Sequence, residues 1–226
     1  LLMVVKQNRF NPPVQWVKQL LNEGKLGTIF AAQINGFWNR NATYYNDDWH
    51  GTHQLDGGTL FTQFSHFIDV ICWFLGKPEV LNAFTGNFTH TGLIEFEDTG
   101  MVQLQFPNGA LGSLQYTVSA FEQNMEGSIT LFGTKGTVKI GGAYLNEITY
   151  CHIKEVELPQ LPKGNEANQY SGGIQGSMNN HHQVYKNFVA ALNGEEELVT
   201  TVKEALDTVT LIEAIYEAAA RSVATA

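Results

Sequence analysis

"DGGTLFTQFSHFIDVICWFLG", Asp56 to Gly76, is the stretch on which the reading of this chain turns. At 100° per residue, Leu60, Phe64, Phe67, Ile68, Ile71 and Leu75 fall on one side, the pattern of a helix lying on a core. Thr62, His66 and Asp69 fall on the opposite side, and Trp73 shares their sector. A polar stripe with a tryptophan beside it predicts a partly enclosed cleft rather than open solvent. An imidazole, with an ordinary pKa of about 6.5, exchanges a proton with a hydroxyl near neutral pH, which makes His66 a chemical candidate. Thr62, one turn earlier, is placed to meet the same ligand. Asp69, one turn later, either orients the ring or bonds to nearby backbone. Spacing alone leaves a structural and a catalytic His66 both open.

Outward from this helix, the chain alternates between few helices and many short strands. Leu1 to Val5 reads as a buried strand broken by "NRFNPP". Asn11 is a candidate cap for a helix over Pro12 to Leu21, closed near Gly24. Ile29, Phe30 and Ile34 indicate a strand, and Asn39 to Asp56 forms a long polar loop rich in aromatics, of the kind that is functional in a compact domain. From Glu79 to Leu158 short alternating runs follow: a hairpin around Asn108-Gly109, another linking "SITLFG" to "TVKIGG", and strands at Leu81 to Thr89 and Ile148 to Ile153. Pro159 to Met178 reads as a loop. Two helices close the chain, Asn180 to Leu192 and Thr201 to Ser222; Thr201 and Glu204 have capping-box spacing, and Val202, Leu206, Val209, Ile212 and Tyr216 form an apolar stripe. The fold class expected is α+β, a large mainly antiparallel sheet with helices on one face.

With 226 residues the chain can bury a sizeable core, and its 43% hydrophobic content holds no run long enough to cross a bilayer. A net charge of -9 argues against non-specific nucleic-acid binding while allowing a nucleotide ligand held by one or two basic side chains. Cys72 sits in the apolar helix and Cys151 in a strand, so two thiols in a reducing, cytoplasmic compartment are expected rather than a bridge. The sequons at Asn41 and Asn87 read as chance matches. The start on "LLMVV", without methionine, suggests a piece of a longer protein.

No glycine-rich dinucleotide loop follows a strand, since "GGTLFTQ" opens a helix and "GTKG" is a turn. His50, His53, Asp56 and His66 have side chains that suit zinc or iron, but their spacing matches no metal motif, and no metal is expected. His181-His182 reads as capping or packing, with contact to a ligand as the alternative. Arg40 offers a planar fork for a carboxylate or pyrophosphate, with a surface salt bridge as the alternative.

"VVKQNRFNPPV", "NEGKLGTI", "YYNDDWHGTHQLDGGTLFTQFSHFIDVICWFLG" and "GTKGTVKI", in this order, resemble the Gfo/Idh/MocA family of NAD(P)-dependent sugar oxidoreductases. The resemblance runs the length of the chain. It implies a glyceraldehyde-3-phosphate dehydrogenase-like C-terminal domain, with residues 1–10 as the last strand of a truncated Rossmann domain and residues 11–226 as the substrate-binding and oligomerisation domain. It implies that His66 is catalytic, and that NAD(P) is bound mainly by an N-terminal domain absent here, together with a lysine that shares the proton chemistry. On this reading the isolated chain is inactive. Where the family commonly carries an aspartate, four residues before the histidine, Thr62 stands with Gln63 beside it. With Arg40, Tyr44, Tyr45 and Trp49, this looks like the branch oxidising the 3-hydroxyl of UDP-N-acetylglucosaminuronic acid for surface-polysaccharide synthesis. The resemblance then assigns Arg40, Tyr44, Tyr45, Thr62 and Gln63 to substrate, and Asn8, Arg9 and Trp49 to the cofactor side. An inositol or free-sugar dehydrogenase, or a noncatalytic sugar-binding or assembly module, are the competing readings. One uncovered sheet face and the family both imply a homodimer or homotetramer.

Overall fold

Strand β1 (Ile29–Phe37) lies in the middle of the molecule because both of its edges are paired. A computed structural model describes residues 1–162, 164, 165, 167–169 and 175–223. The seven-stranded sheet also contains β2 (Glu79–Gly86), β3 (Thr99–Gln105), β4 (Leu111–Thr117), β5 (Glu126–Gly133), β6 (Gly136–Gly141) and β7 (Glu147–Ile153), in the order β2-β3-β4-β1-β5-β6-β7. All neighbours run antiparallel except β1 and β4, which are parallel with Ile34 opposite Leu114. This is the mostly antiparallel open sheet expected from the hairpin signals.

Helices α1 (Pro12–Asn22), α2 (Ser65–Leu75) and α4 (Val202–Val223) cover one face, and α3 (His181–Leu192) lies beside the N-terminal turn. Ile34, Val102, Leu104, Leu114, Ile129, Leu131, Val138 and Ile140 of the sheet meet Phe64, Phe67, Ile68, Ile71, Leu211, Ile212 and Ile215 in a single core. Phe64 can lie against the sheet because residue 36 is glycine: a Cβ there would stand 2.4 Å from the ring. Burying each such phenylalanine is worth roughly 1.5–3 kcal/mol.

The structure corrects several expectations. The predicted helix is two pieces, a π-helical turn over Leu60–Phe64 followed by α2, and α2 is buried nearly all round rather than on one stripe. The strand expected over Leu1 to Val5 does not form: no described strand lies beside these residues, their backbone has no ladder to join, and Leu1 and Leu2 are exposed. Asn11 precedes α1 but makes no side-chain cap; its amide donates to the carbonyls of Tyr144 and Leu145. The capping box of α4 does form, with the backbone N–H of Thr201 donating to Glu204 at 2.9 Å. The inward face of that helix, however, runs through Ala205, Thr208, Leu211, Ile212 and Ile215, while Val202, Leu206 and Val209 are exposed. The stretch read as a loop over Pro159 to Met178 contains a small ladder, β8 (Ala167–Gln169) against β9 (Gln175–Met178); residues 170–174 lie outside the described residues. Both cysteines are free thiols, and burial pushes Cys72 up to about 12. No described helix is long and apolar enough to cross a membrane.

Candidate functional site

A cleft of about 670 Å³ opens where the Asn39–Asp56 loop, the π-helical turn and the first residues of the chain converge. Arg40, Tyr44, Trp49, Thr62, Gln63 and His66, all singled out from the sequence, line it together. Thr62, Gln63 and His66 lie within one helical turn across the junction of the π-helical turn and α2, and all three line the cleft.

His66 keeps one edge on the cleft while its Nδ1 is enclosed and without a partner. Its Nε2 lies 3.2 Å from the side-chain amide nitrogen of Gln7. Loss of solvent, and then the positive charge of Lys6 and His181, push the imidazole down to about 3, so the ring is neutral across the physiological range. A neutral imidazole on a cleft wall offers a lone pair to a hydroxyl.

Arg40 is buried and held from several sides. Its Nε donates to Gln63 Oε1 at 2.5 Å and its Nη1 to Asn39 O and Asn124 Oδ1, while the guanidinium lies over the Trp38 and Tyr44 rings. Gln63 in turn donates to the Tyr44 hydroxyl at 2.6 Å. Gln63 is therefore a bridge that aligns Arg40 with Tyr44. Beneath, His90 donates from Nε2 to the Arg40 carbonyl at 2.7 Å, while its Nδ1 faces Asp98 at 3.1 Å. At the mouth, His50 stacks on Trp49 with ring centres 3.6 Å apart and faces Tyr44 on its other side, and its Nδ1 is tied to Asp47.

Three predicted residues do not reach the cleft. Arg9 is fully buried, its fork spread over Asp69 at 2.8 and 2.9 Å, with Glu204 at 3.2 Å and the Trp73 ring beneath. Asp69 therefore serves Arg9, not the His66 ring, and Trp73 covers that pair instead of the cleft. Asn8 is buried with neither side-chain amide atom hydrogen-bonded. Tyr45 packs with Ile94 and Phe96 and sets its edge against His90. Of the residues weighed for a metal, His50 turns to Asp47 and His53 to Phe96, so they do not converge on His66. Gln7, Ser177 and His181 join the cleft without having been singled out as site residues. Gln7 sits 59 residues before its histidine, and no spacing rule links them.

Taken together, a sheet-backed domain presents a neutral imidazole, an anchored guanidinium and an aromatic ledge around one cleft. A sequence model of the oxidoreductase family C-terminal alpha/beta domain, Gfo/Idh/MocA, matches residues 18–225. The chain belongs to that family. Among solved structures, the WlbA dehydrogenase of Bordetella pertussis, in complex with NADH and UDP-GlcNAcA, is 35% identical with a TM-score of 0.82, covering 98% of this chain and 61% of that one. The WlbA dehydrogenase of Chromobacterium violaceum, with the same two ligands, is 32% identical with a TM-score of 0.81, covering 97% and 61%. The trans-1,2-dihydrobenzene-1,2-diol dehydrogenase of Oryctolagus cuniculus is 30% identical over 190 residues, 80% of this chain and 53% of its own length. The chain thus spans about half the length of that curated relative.

Proposed function

We propose that this chain is the substrate-holding part of an NAD(P)-dependent sugar dehydrogenase that oxidises the 3-hydroxyl of UDP-N-acetylglucosaminuronic acid. The observation carrying this reading is one cleft lined by the His66 imidazole and by the Arg40 guanidinium that Gln63 holds in place. His66 takes or holds the hydroxyl proton. Arg40, aligned by Gln63 and Tyr44, gives the cleft a fixed positive charge that favours a carboxylate or phosphate. Thr62, in the place of a carboxylate, adds no negative charge that would repel such an anionic sugar. The two WlbA complexes with UDP-GlcNAcA support the substrate class.

No glycine-rich loop lines the cleft among the described residues. Gln7, Val5 and Trp49 line it, and in this reading they meet a flat aromatic carboxamide and not a pyrophosphate. A bound nicotinamide supplies the hydride acceptor. The rest of the nucleotide falls to a preceding domain, of which residues 1–10 are read as the exit and residues 11–226 as the partner. In this reading the isolated chain is inactive, and the full protein works in the cytoplasm, in polysaccharide assembly, as a homodimer or homotetramer.

In the full-length protein, His66→Asn is expected to slow single-turnover hydride transfer about 100-fold or more, the usual size of an acid-base contribution, while the nucleotide-sugar Kd changes little. Hydride transfer at the wild-type rate would reject this role. Turnover of free sugars alone, with none of the nucleotide sugar, would exclude the substrate named here.

A further inference from the structure

The contact between Gln7 and His66 stands apart from the other polar contacts of the cleft. Gln7 is nearly enclosed, at 5% exposed, and its amide nitrogen lies 3.2 Å from His66 Nε2. The remaining polar atoms of the pair, Gln7 Oε1 and His66 Nδ1, are enclosed and unpartnered. Because Nδ1 is shut away, the ring edge that reaches the cleft carries Nε2, the nitrogen that Gln7 touches.

The two side chains are held at fixed separation by a second link between the same two elements. Gln7 begins a 3-10 turn, Gln7–Phe10, and Arg9 in that turn grips Asp69, three residues after His66 on α2. Arg9 and Asp69 each expose 1% of their side chains, so water competes little for that fork. Asn180 adds a third tie by donating to Gln7 O at 3.5 Å. A buried amide that cannot move away constrains the ring it faces, because an N–H donor stabilises only a lone pair.

We propose that Gln7 is a positioning residue for His66: its amide N–H donates to Nε2 and holds the neutral ring with the proton on Nδ1 and the lone pair on Nε2. This rests on the dehydrogenase reading of the cleft. An incoming hydroxyl takes over the Nε2 lone pair from Gln7. As the carbon's hydride passes to the oxidised nicotinamide nucleotide, the O–H bond breaks, an N–H bond forms at Nε2, and the imidazolium later releases its proton to solvent. Loss of solvent favours the neutral ring, which is the form whose Nε2 lone pair Gln7 can meet.

The test uses the full-length protein with 15N-labelled histidine, whose two ring nitrogens give tautomer-specific NMR signals. Wild-type His66 is expected to report a proton on Nδ1 and a bare Nε2. In Gln7→Met, which keeps the length and removes the donor, the proton is expected to move to Nε2, with single-turnover hydride transfer roughly 10-fold slower and sugar KM within about threefold. Gln7→Glu places a carboxylate beside the ring and is expected to raise the acid limb of the kcat/KM profile by about one pH unit or more. A wild-type ring protonated on Nε2, or a tautomer unmoved in Gln7→Met, overturns the proposal. The tautomer measurement stands even if His66→Asn shows that His66 carries no proton, so the two readings fail separately.

Discussion

At Gly58 the backbone has φ +135, and a Cβ there would meet Tyr216 Oη at 2.3 Å. That hydroxyl accepts the N–H of Leu60, so the phenol that seats the start of the π-helical turn occupies the space a side chain would need. Gly58→Ala is expected to cost roughly 2–4 kcal/mol in urea unfolding, strain and overlap together. The second glycine of the quoted stretch is thus a packing requirement. Arg9 shows the opposite case, a charge tolerated because it is matched. Arg9→Met leaves Asp69 buried without its partner and is expected to cost about 3–5 kcal/mol, whereas Arg9→Met with Asp69→Leu recovers most of it. A double-mutant cycle by denaturant titration measures the difference; additive losses would contradict it.

At the scale of elements, the backbone carbonyl of Glu97 accepts from Thr59 just before the π-helical turn, and its side chain ties β4 to α4. This buried carboxyl accepts from the Tyr116 hydroxyl at 3.0 Å and from Tyr216 at 2.8 Å. Burial pushes it up to about 7, against the partial opposition of those hydrogen bonds. Glu97 therefore binds its proton more tightly folded than unfolded. Its stabilising contribution is full below pH 4.5 and is lost as pH rises through about 7, a swing of up to about 3 kcal/mol. Glu97→Gln keeps an acceptor for both phenols without a charge, so its stability between pH 5 and 8 is expected to be flatter than wild type in thermal or urea unfolding. An unchanged slope would remove Glu97 as the cause.

Most elements were legible because their periods are local. The β3–β4 and β5–β6 hairpins sit where Asn108-Gly109 and Thr134-Lys135 separate alternating runs, and the apolar residues of the Asp56–Gly76 helix are the ones in the core, with Leu75 only partly covered. The π-helical opening was not legible, since 100° spacing assumes one helix type throughout. The outward Val202, Leu206 and Val209 misled for a related reason: a stripe of apolar residues shows that a face exists, but only the neighbouring elements decide which face turns inward.

For the molecule as a whole, the sheet face away from the helices carries exposed Phe84, Met101 and Leu111, with Phe84 opposite Met101 across the β2–β3 ladder. If this face joins subunits as proposed, Met101→Lys is expected to shift the full-length protein to monomer in sedimentation velocity. Its helix-side core should be intact, because Met101 lies outside that core. A variant that sediments as the wild-type oligomer would locate the interface elsewhere.

Sequence by itself determined the sheet-and-helix class and the helix that carries His66, because their periods are local, while Arg40, Tyr44, Thr62 and Gln63 were singled out with His66 by the family resemblance and share one cleft in the structure. Only the tertiary structure decided that Asp69 belongs to Arg9, that Asn8 and Tyr45 turn away from the cleft, and that Gln7 touches His66. Those pairings join residues far apart in sequence, and the packing that brings them together follows from the burial of the whole core, not from any local period.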